Sequence, residues 1–466
     1  MSAWEPIIGL EIHVQLDTRT KMFCACDNRF GAEPNTLTCP LCLGHPGVLP
    51  VINEAAVDKA LAIGLALNCE IPERSRFHRK NYFYPDSPKA YQISQYDEPI
   101  CGPGHLDVEG GRVGIVRAHL EEDAAKLVHA GGAGGRIAGA ESSVVDFNRC
   151  GTPLVEIVTE PDLRSPEQAI AFLALLKNTL QTIGVSDCDM EKGSLRCDAN
   201  VSVRRRGDSA LGTKTELKNM NSFKFLAEGM AAEIERQKQL LDGGGTVEQE
   251  TLHYDPAQRR LHARRSKEEA DDYRYFPEPD LVPVEPPAEL VARLRGELLE
   301  LPAERISRVA GTLDHDRALV LVTGGLDSLW QATVDAGAEP VAASNVIANQ
   351  LVAAGVDAST VDAGELARLV EARERIPRGA FTEAMAKVGD AGFSADPYLA
   401  QEAVSDTSAL EPIVDAVLAA NPAQVEQYRG GKDGLLGFFV GQVMKETTGQ
   451  ADPRSVNDLV RAKLAR

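Results

Sequence analysis

The stretch Ile7-Ile-Gly-Leu-Glu-Ile-His-Val-Gln-Leu16 alternates apolar and polar side chains, which predicts a β-strand buried on one face. Glu11 and His13 then share the other face, because side chains two residues apart in a strand point the same way. A second apolar run, Pro153-Leu-Val-Glu-Ile-Val158, is interrupted by Glu156 in the same manner. A lone carboxylate buried in a sheet is costly unless a cation or hydrogen-bond donors compensate its charge. These strands therefore mark a candidate functional site.

A third acidic cluster, Glu121-Glu122-Asp123, lies between these two strands in the sequence. Carboxylates combined with one imidazole suit Mg²⁺ or Mn²⁺, the ions that accompany phosphates. An amphipathic sheet whose carboxylates simply face water would give the same pattern. The residues taken alone leave both interpretations open.

The cysteines give the most specific local pattern. Cys24-Ala-Cys26 and Cys39-Pro-Leu-Cys42 are two close pairs separated by twelve residues. Two such pairs can converge on one tetrahedral zinc ion, and four thiolates leave no open position for catalysis, so the ion would be structural. Four unligated thiols are the alternative. The other cysteines lack this pairing and are expected to be small buried side chains; they are Cys69, Cys101, Cys150, Cys188 and Cys197.

Length and composition indicate a globular protein with more than one domain. At 466 residues the chain is too long for one ordinary core, and its hydrophobic fraction of 43% is that of a water-soluble protein. No apolar run approaches the length of a membrane-spanning helix, and no secretory signal opens the sequence, so we expect a cytoplasmic protein.

The chain is predicted to divide into three parts. Residues 1–290 carry short strand-like runs broken by Gly, Pro and Asn, and the proline-rich segment Pro277–Pro287 is typical of an exit linker. Residues 291–396 turn Ala-, Leu- and Glu-rich with helical periodicity. Asp396-Pro397 marks a second break, after which residues 397–466 predict a small helical bundle. Ser408-Ala-Leu-Glu411 has the spacing of a capping box, and Asn421-Pro422 and Asp452-Pro453 predict two further helix starts.

The formal net charge of −20 argues against a simple nucleic-acid-binding protein. The tail differs from the body of the chain, because residues 421–466 hold seven Lys and Arg against five Asp and Glu. Basic and aromatic residues also alternate in Arg79-Lys-Asn-Tyr-Phe-Tyr-Pro-Asp86 and Lys89-Ala-Tyr-Gln-Ile-Ser94. Such segments can bind phosphates and stack on a base, although a loop with aromatic anchors explains them equally well. The sequence contains neither a P-loop nor a nucleophile-elbow motif.

Several segments together resemble the GatB family, and they follow one another in order along essentially the whole chain. They include, besides the segments already quoted, His119-Leu-Glu-Glu-Asp123, Asn148-Arg-Cys-Gly-Thr-Pro-Leu-Val-Glu156, Gly193-Ser-Leu-Arg-Cys-Asp-Ala-Asn200, Glu216-Leu-Lys-Asn-Met-Asn-Ser-Phe223, Asp271-Asp-Tyr-Arg-Tyr-Phe-Pro-Glu-Pro-Asp280 and Gly434-Leu-Leu-Gly-Phe-Phe-Val-Gly-Gln-Val-Met444.

The resemblance implies an α+β protein with a cradle-shaped mixed α/β catalytic domain, an all-helical domain and a small helical tail domain of the YqeY type that contacts tRNA. It implies that Glu11, His13, Glu122 and Glu156 correspond to a Mg²⁺ site. It further implies ATP-dependent phosphorylation of the side-chain carboxylate of Glu-tRNA(Gln) or Asp-tRNA(Asn). Lys80 and Lys89 match family positions near the route along which ammonia reaches the activated carboxylate.

The resemblance also implies partners. An amidase-like A subunit would release the ammonia, in keeping with the missing hydrolase motif, and a small C subunit would complete the complex. The mischarged tRNA, with or without its non-discriminating synthetase, would be the substrate partner. Two alternatives from other classes remain on the residues alone: a zinc-stabilised RNA-binding adaptor without catalysis, and a kinase acting on a free amino acid.

Overall fold

The sheet region and the helical region of the chain form two separate compact units, Met1–Ala303 and Glu304–Arg466. The structure is a computed structural model that describes residues 3–108, 110–131, 140–255, 258–265, 273–401, 407–447, 451 and 453–464. Both later parts of the predicted three-part division fall mainly in the second unit. The α+β prediction is confirmed by a large mixed sheet in the first unit and helices in the second.

In its described residues the first unit contains the strands and four helices. Its strands are β1 (Trp4–Gln15), β2 (Phe77–Asn81), β3 (Tyr91–Gln95), β4 (Gly104–Val108), β5 (Gly111–Glu122), β6 (Lys126–Ala130), β7 (Ser142–Asp146), β8 (Pro153–Thr159), β9 (Leu195–Arg205), β10 (Thr215–Met220), β11 (Thr251–Asp255), β12 (Arg260–Arg265) and β13 (Phe276–Pro277). Its helices are α1 (Glu54–Ala66), α2 (Pro166–Thr182), α3 (Phe223–Asp242) and α4 (Ala288–Glu297). Ser165 and Ser222 cap α2 and α3 by accepting hydrogen bonds from the backbone N–H groups of Gln168 and Phe225.

Eight strands form one sheet in the order β12-β11-β10-β9-β1-β8-β5-β4. Neighbouring strands are antiparallel except for β10 and β11, which run parallel. Strands β13, β2 and β3 form a second, three-stranded sheet, and β6 pairs with β7. The two strand-like runs quoted from the sequence, which begin at Ile7 and at Pro153, lie in β1 and β8, as expected.

Strand β1 lies near the middle of the large sheet, and its side chains point alternately to an apolar and to a polar face. The even-numbered residues Ile8, Leu10, Ile12 and Val14 are buried, and the register places Ile157 of β8 and Cys197 of β9 beside Ile12. Helix α3 packs on β9, and α2 packs on α3 and β4. The odd-numbered residues of β1 face the opposite side, where the register brings polar side chains of neighbouring strands beside them.

Strand β5 carries one irregularity that decides which of its side chains reach the polar face. Ile115 pairs with Thr159 of β8, but Arg117 pairs with Val158, so the strand contains a β-bulge between these pairs. Beyond the bulge His119 lies opposite Glu156. The bulge therefore determines which side chains at the acidic end of β5 point to the polar face of the sheet.

The proline-rich segment predicted as a linker packs against the first unit. Phe276 and Pro277 pair with β2, and Val284 forms an isolated bridge with Ser75. Glu278 is buried and accepts two hydrogen bonds from the guanidinium of Arg79, at 2.7 and 2.8 Å. The segment contains no helix, as predicted from its prolines, but the prediction missed that its side chains anchor it.

The second unit consists of helices. They are α5 (Pro302–Ala310), α6 (His315–Thr323), α7 (Asp327–Asp335), α8 (Pro340–Asn345), a π-helical turn (Val346–Leu351), α9 (Val352–Ala354), α10 (Ala363–Ala372), α11 (Arg378–Lys387), α12 (Asp396–Leu399), α13 (Thr407–Ala420), α14 (Pro422–Arg429), α15 (Leu436–Glu446) and α16 (Pro453–Leu464).

The tail of the second unit has a core of its own, formed by buried side chains of α13, α15 and α16, among them Leu410, Phe439 and Val456. Val414 and Val417 of α13 are also buried there, so the helix packs one apolar face into this core. Helix α14 begins at Pro422 as predicted, but the Asn421 amide donates to the carbonyl of Val417 instead of capping the helix. The capping-box side chain of Ser408 and the residue Asp452 lie outside the described residues.

Candidate active site and metal centres

Three side chains converge on the polar face of the large sheet. His13 on β1, Glu121 on β5 and Glu156 on β8 offer ligand atoms that all lie within 4.8 Å of one another. Nε2 of His13 is 3.4 Å from a carboxylate oxygen of Glu156 and 3.8 Å from one of Glu121. The antiparallel register explains this, because His13 lies directly opposite Glu156, and Glu156 lies directly opposite His119, two residues before Glu121. Two predicted site residues, His13 and Glu156, are thus brought together.

Burial and the mutual approach of these groups shift their pKa values in different directions. Burial, reinforced by the neighbouring charge of Glu156, raises the pKa of Glu121. Burial alone would raise the pKa of Glu156 too, but the imidazole of His13 and the ammonium of Lys80 hold it below its ordinary range. The pKa of His13 is raised because the carboxylates of Glu156 and Glu121 outweigh its burial. The three groups are thus electrostatically coupled, and His13 would have to be neutral to bind a cation through Nε2.

The donor set fits a hard divalent cation. Two carboxylates and one imidazole offer oxygen ligands and one nitrogen, which suits Mg²⁺ or Mn²⁺ and leaves coordination positions for water or phosphate oxygens. The buried His119 lies on the same face, with Nε2 3.7 Å from Glu156. Burial lowers the pKa of His119 to about 4, so it adds no positive charge at neutral pH.

Glu121 was missed by the sequence analysis, and Glu122 was expected in its place. Successive side chains of a strand point to opposite faces, so only one of the two can face His13. The register places Glu121 on that face, whereas the Glu122 carboxylate accepts hydrogen bonds from the Lys89 ammonium and, at 3.0 Å, from the backbone N–H of Ile93. His119 and Glu121 are two residues apart, a spacing that places both on one face of a strand and could have pointed to Glu121 as the neighbour of His13.

Lys89 and Glu122 form a second buried group. Their side chains are only 7% and 3% exposed. Burial alone would lower the pKa of Lys89, but the Glu122 carboxylate reverses this and raises it. The pair is therefore a salt bridge of two charged groups shielded from solvent.

Glu11 and Lys80 lie near the metal-binding candidates without joining them. Glu11 shares the face of His13, but its carboxylate accepts a hydrogen bond at 2.9 Å from the amide of Asn200. The Lys80 ammonium lies 4.8 Å from the ring centroid of Tyr273. Burial opposes the charge of Lys80, yet Glu121 and other neighbours raise its pKa, so it is a cation beside the acidic cluster.

The four paired cysteines converge as the spacing predicted. Cys24, Cys26, Cys39 and Cys42 form one group whose sulfur atoms lie within 4.8 Å of one another. Sγ of Cys42 is 3.7 Å from Sγ of Cys39 and 4.0 Å from Sγ of Cys26. Tetrahedral zinc with bonds of about 2.3 Å requires sulfur–sulfur separations of roughly 3.8 Å, so the group fits the ion.

The pKa values within the group diverge: the hydrogen bond with Cys42 raises that of Cys24, and burial raises that of Cys26 to about 11. Hydrogen bonds from the Cys24 thiol and the backbone N–H of Cys39 lower the pKa of Cys42 to about 4. Lys21, whose side chain is fully buried, also lowers that pKa, and its ammonium donates to the carbonyl of Leu37 at 2.8 Å. The five remaining cysteines are buried free thiols, as predicted.

The basic and aromatic segments have mainly structural partners. Arg79 is engaged by Glu278 and lies over the ring of Tyr91, with 4.3 Å between the guanidinium carbon and the ring centroid. Tyr96 stacks on Tyr275 at 4.5 Å between ring centroids, a pairing that their distance in the sequence concealed. The two segments are therefore not a single anchored loop: they form strands β2 and β3 and the stretch between them, where Tyr82, Phe83 and Tyr84 are exposed. None of the described helices is long and apolar enough to cross a membrane.

Comparison with known proteins adds to this geometry. A family model described as the GatB/GatE catalytic domain matches residues 6–292, and one described as the GatB domain matches residues 328–464. A protein of Syntrophotalea carbinolica, named as the B subunit of an aspartyl/glutamyl-tRNA(Asn/Gln) amidotransferase, is 46% identical, with 99% of each chain covered. Proteins of the same name from Carboxydothermus hydrogenoformans and Coxiella burnetii are also 46% identical; the first match covers 100% of both chains, the second 99% of this chain and 100% of the relative.

Proposed function

The chain belongs to the GatB/GatE family, and on that premise we propose that it activates the side-chain carboxylate of Glu-tRNA(Gln), Asp-tRNA(Asn) or both, for conversion to the amide. The observation that carries the proposal is the convergence of His13, Glu121 and Glu156 on one face of the sheet. A buried group of acids with one imidazole suits a phosphate-directed metal site.

The proposed reaction has two steps. A carboxylate oxygen of the aminoacyl group attacks the γ-phosphorus of ATP; the new O–P bond forms as the bond to ADP breaks, and an acyl phosphate results. Ammonia then attacks the carbonyl carbon, the C–N bond forms, phosphate leaves with the C–O electron pair, and the nitrogen loses a proton. An acyl phosphate hydrolyses readily in water, so the buried setting of the site protects the intermediate.

His13, Glu121 and Glu156 would hold the divalent ion, and Lys80 would place a fixed positive charge beside them. A bound Mg²⁺ supplies positive charge to the phosphoryl oxygens while two anions react with one another. Glu11 and its partner Asn200 would orient groups on the same polar face. The resemblance placed Lys80 and Lys89 near the route of ammonia and Glu122 in the Mg²⁺ site; we now propose that Lys89 and Glu122, a salt bridge shielded from solvent, receive the ammonia.

We further propose the partners that the family implies. Ammonia would come from an amidase-like A subunit, and a small C subunit would complete the complex. Residues 397–466 would contact the tRNA, and the Cys24–Cys26–Cys39–Cys42 group would hold one structural zinc ion per chain. The near-neutral tail lets tRNA dock by shape despite the acidity of the whole chain.

Replacing Glu156 by glutamine tests the proposal, because it preserves the shape of the side chain and removes the charge. In the purified complex with its partner subunits, we expect phosphate release that depends on both ATP and mischarged tRNA to fall on the order of a hundredfold. Glu160→Gln is the matched control, since Glu160 is exposed and lies just beyond the same strand.

Unchanged turnover in the Glu156→Gln complex would remove the catalytic interpretation and leave the RNA-binding adaptor. Phosphate release with free glutamate and no tRNA would instead favour an amino-acid kinase. Measuring amidation of each mischarged tRNA in the same preparation identifies which of the two substrates is used.

A further inference from the structure

We propose that the segment of residues 22–44, which contains the four paired cysteines and is called the cysteine knuckle below, positions Lys89 and Glu122 as well as stabilising the fold. Occupancy of the cysteine group by zinc would then control the geometry of this buried pair. The proposal rests on the proposed function in one respect, namely that Lys89 and Glu122 take part in the reaction.

The second turn of the cysteine knuckle lies against the backbone of Lys89. Gly44 has a φ of +67°, and a Cβ atom on it would lie 2.7 Å from the carbonyl oxygen of Pro88 and 2.9 Å from the nitrogen of Lys89. Contacts this short involve backbone atoms, which cannot rotate away. Backbone hydrogen bonds connect this turn to the second cysteine pair. The N–H of Leu43 donates to the carbonyl of Cys39, and the N–H of Gly44 donates to the carbonyl of Leu41.

The first turn of the cysteine knuckle lies against the side chain of Lys89. Phe23 directly precedes Cys24, and its buried ring lies 5.9 Å from the Lys89 ammonium, measured to the ring centroid. The ring is held in turn by an edge contact with Phe77, with 5.4 Å between the centroids. An aromatic face at this distance attracts an ammonium group and fixes the direction from which it approaches Glu122.

The cysteine knuckle also reaches Glu122. Gly151 has a φ of +84°, and a Cβ built on it would be 3.8 Å from a carboxylate oxygen of Glu122 and 3.9 Å from Cβ of Cys42. Backbone hydrogen bonds join this residue to both sides, since the N–H of Met22 donates to the carbonyl of Gly151 and the N–H of Gly151 donates to that of Asp123. Gly151 is therefore a neighbour both of Cys42, which would bind the zinc ion, and of Glu122, which forms the salt bridge with Lys89.

These contacts make the metal relevant to the buried pair. The free energy of metal binding becomes folding free energy of the segment that supplies the ligands. Without the ion the two turns are joined by weak contacts between the cysteine thiols, such as Cys26 and Cys42, so the connection between Phe23 and Gly44 is weakened. A shift of a fraction of an ångström in either turn is transmitted to Lys89 because protein interiors are close-packed.

The test compares two alanine substitutions that impose the same backbone strain. Gly44→Ala adds a methyl group against Pro88 and Lys89. Gly47→Ala is the control, because Gly47 also has a positive φ, +83°, but no described atom lies within 4 Å of the position of its Cβ. Both variants are prepared in the complex with the partner subunits, and zinc content is measured in each.

Two measurements are made on each preparation. The first is the rate at which an amine-selective acylating reagent modifies Lys89, followed by peptide mass spectrometry, with and without removal of zinc by a chelator. We expect Lys89 to react about tenfold faster in Gly44→Ala and in the zinc-depleted complex, because the amine is no longer held against Glu122. The second is amidation, for which kcat should fall about tenfold in Gly44→Ala, while KM for the mischarged tRNA is retained.

The Gly47→Ala complex should stay within about twofold of the unsubstituted complex in both measurements. Equal labelling and equal turnover in the two glycine variants, with no response to zinc removal, would overturn the proposal. If Gly44→Ala does not fold, Phe23→Leu takes its place, since leucine keeps the apolar volume and removes the ring beneath Lys89; unchanged labelling there would overturn the proposal equally. Labelling of Lys89 does not depend on the proposed reaction. A failure of the proposed function would therefore be seen in a different experiment, as unchanged turnover of the Glu156→Gln complex.

Discussion

Replacing Asp123 by asparagine should lower the free energy of unfolding of the sheet unit by about 2 kcal/mol at neutral pH. Asp123 follows β5 directly and is buried. Its carboxylate accepts hydrogen bonds from the guanidinium of Arg196 at 2.9 Å and from the amide of Gln15 at 2.7 Å. Asparagine keeps the shape and one acceptor oxygen, so the substitution removes mainly the charge.

The magnitude follows from the pKa of this carboxyl. Burial alone would raise it, but Arg196 and Arg149 lower it from the ordinary value of 3.8 to about 2. Each tenfold change in proton affinity is worth about 1.4 kcal/mol, which gives the figure of about 2 kcal/mol. Because the folded-state pKa lies below the unfolded one, this stabilisation is present in full above about pH 4 and is lost as the pH falls through about 2.

Urea unfolding followed by tryptophan fluorescence measures the effect. The chain has two tryptophans, and with Trp330→Phe as background the signal of Trp4 on β1 reports on the sheet unit. Asp107→Asn is the control, since Asp107 is 58% exposed and pairs with a similarly exposed arginine, so that its charge contributes little to stability. An Asp123→Asn protein as stable as this control at neutral pH would refute the reasoning. So would a difference that stays constant as the pH is lowered from about 4 towards about 2.

Two further predictions concern the cysteine knuckle and the proline-rich segment. Cys39→Ser should reduce bound zinc, measured by atomic emission, from about one ion per chain to none and should lower the melting temperature; a zinc-free protein that melts normally would remove the structural role of the ion. Arg79→Met should cost about 3–5 kcal/mol in the same urea assay, because it leaves the buried carboxylate of Glu278 without its partner. The double variant Arg79→Met, Glu278→Gln should recover part of that loss, and no recovery would show that the ion pair is not the cause.

The patterns that repeat within a short stretch of sequence were the ones that could be predicted. Alternation in β1 indicated its two faces and put His13 on the polar one. The spacing of the cysteine pairs predicted a group that the structure brings together. Both depend on local periodicity, which a single strand or turn determines by itself.

The features that were missed depend on contacts between distant segments. Choosing between Glu121 and Glu122 requires the register of β5 against β8, and the bulge near Arg117 shifts that register by one residue. The burial of Glu278 could not be predicted from a proline-rich run, because its partner Arg79 is far away in the sequence. The approach of Gly44 to Pro88 is likewise a matter of tertiary packing.

Because β5 contains a bulge, the number of residues in this strand determines which of its two adjacent glutamates faces His13. The extra residue at the bulge reverses which residues of β5, odd- or even-numbered, share a face with a given residue of β8. Only the register after the bulge places His119 and Glu121 on the face of His13. Losing or gaining one residue between Ile115 and Glu121 would exchange the environments of the two adjacent glutamates without altering either of them. The number of residues between Ile115 and Glu121 is therefore constrained by the site that the strand carries.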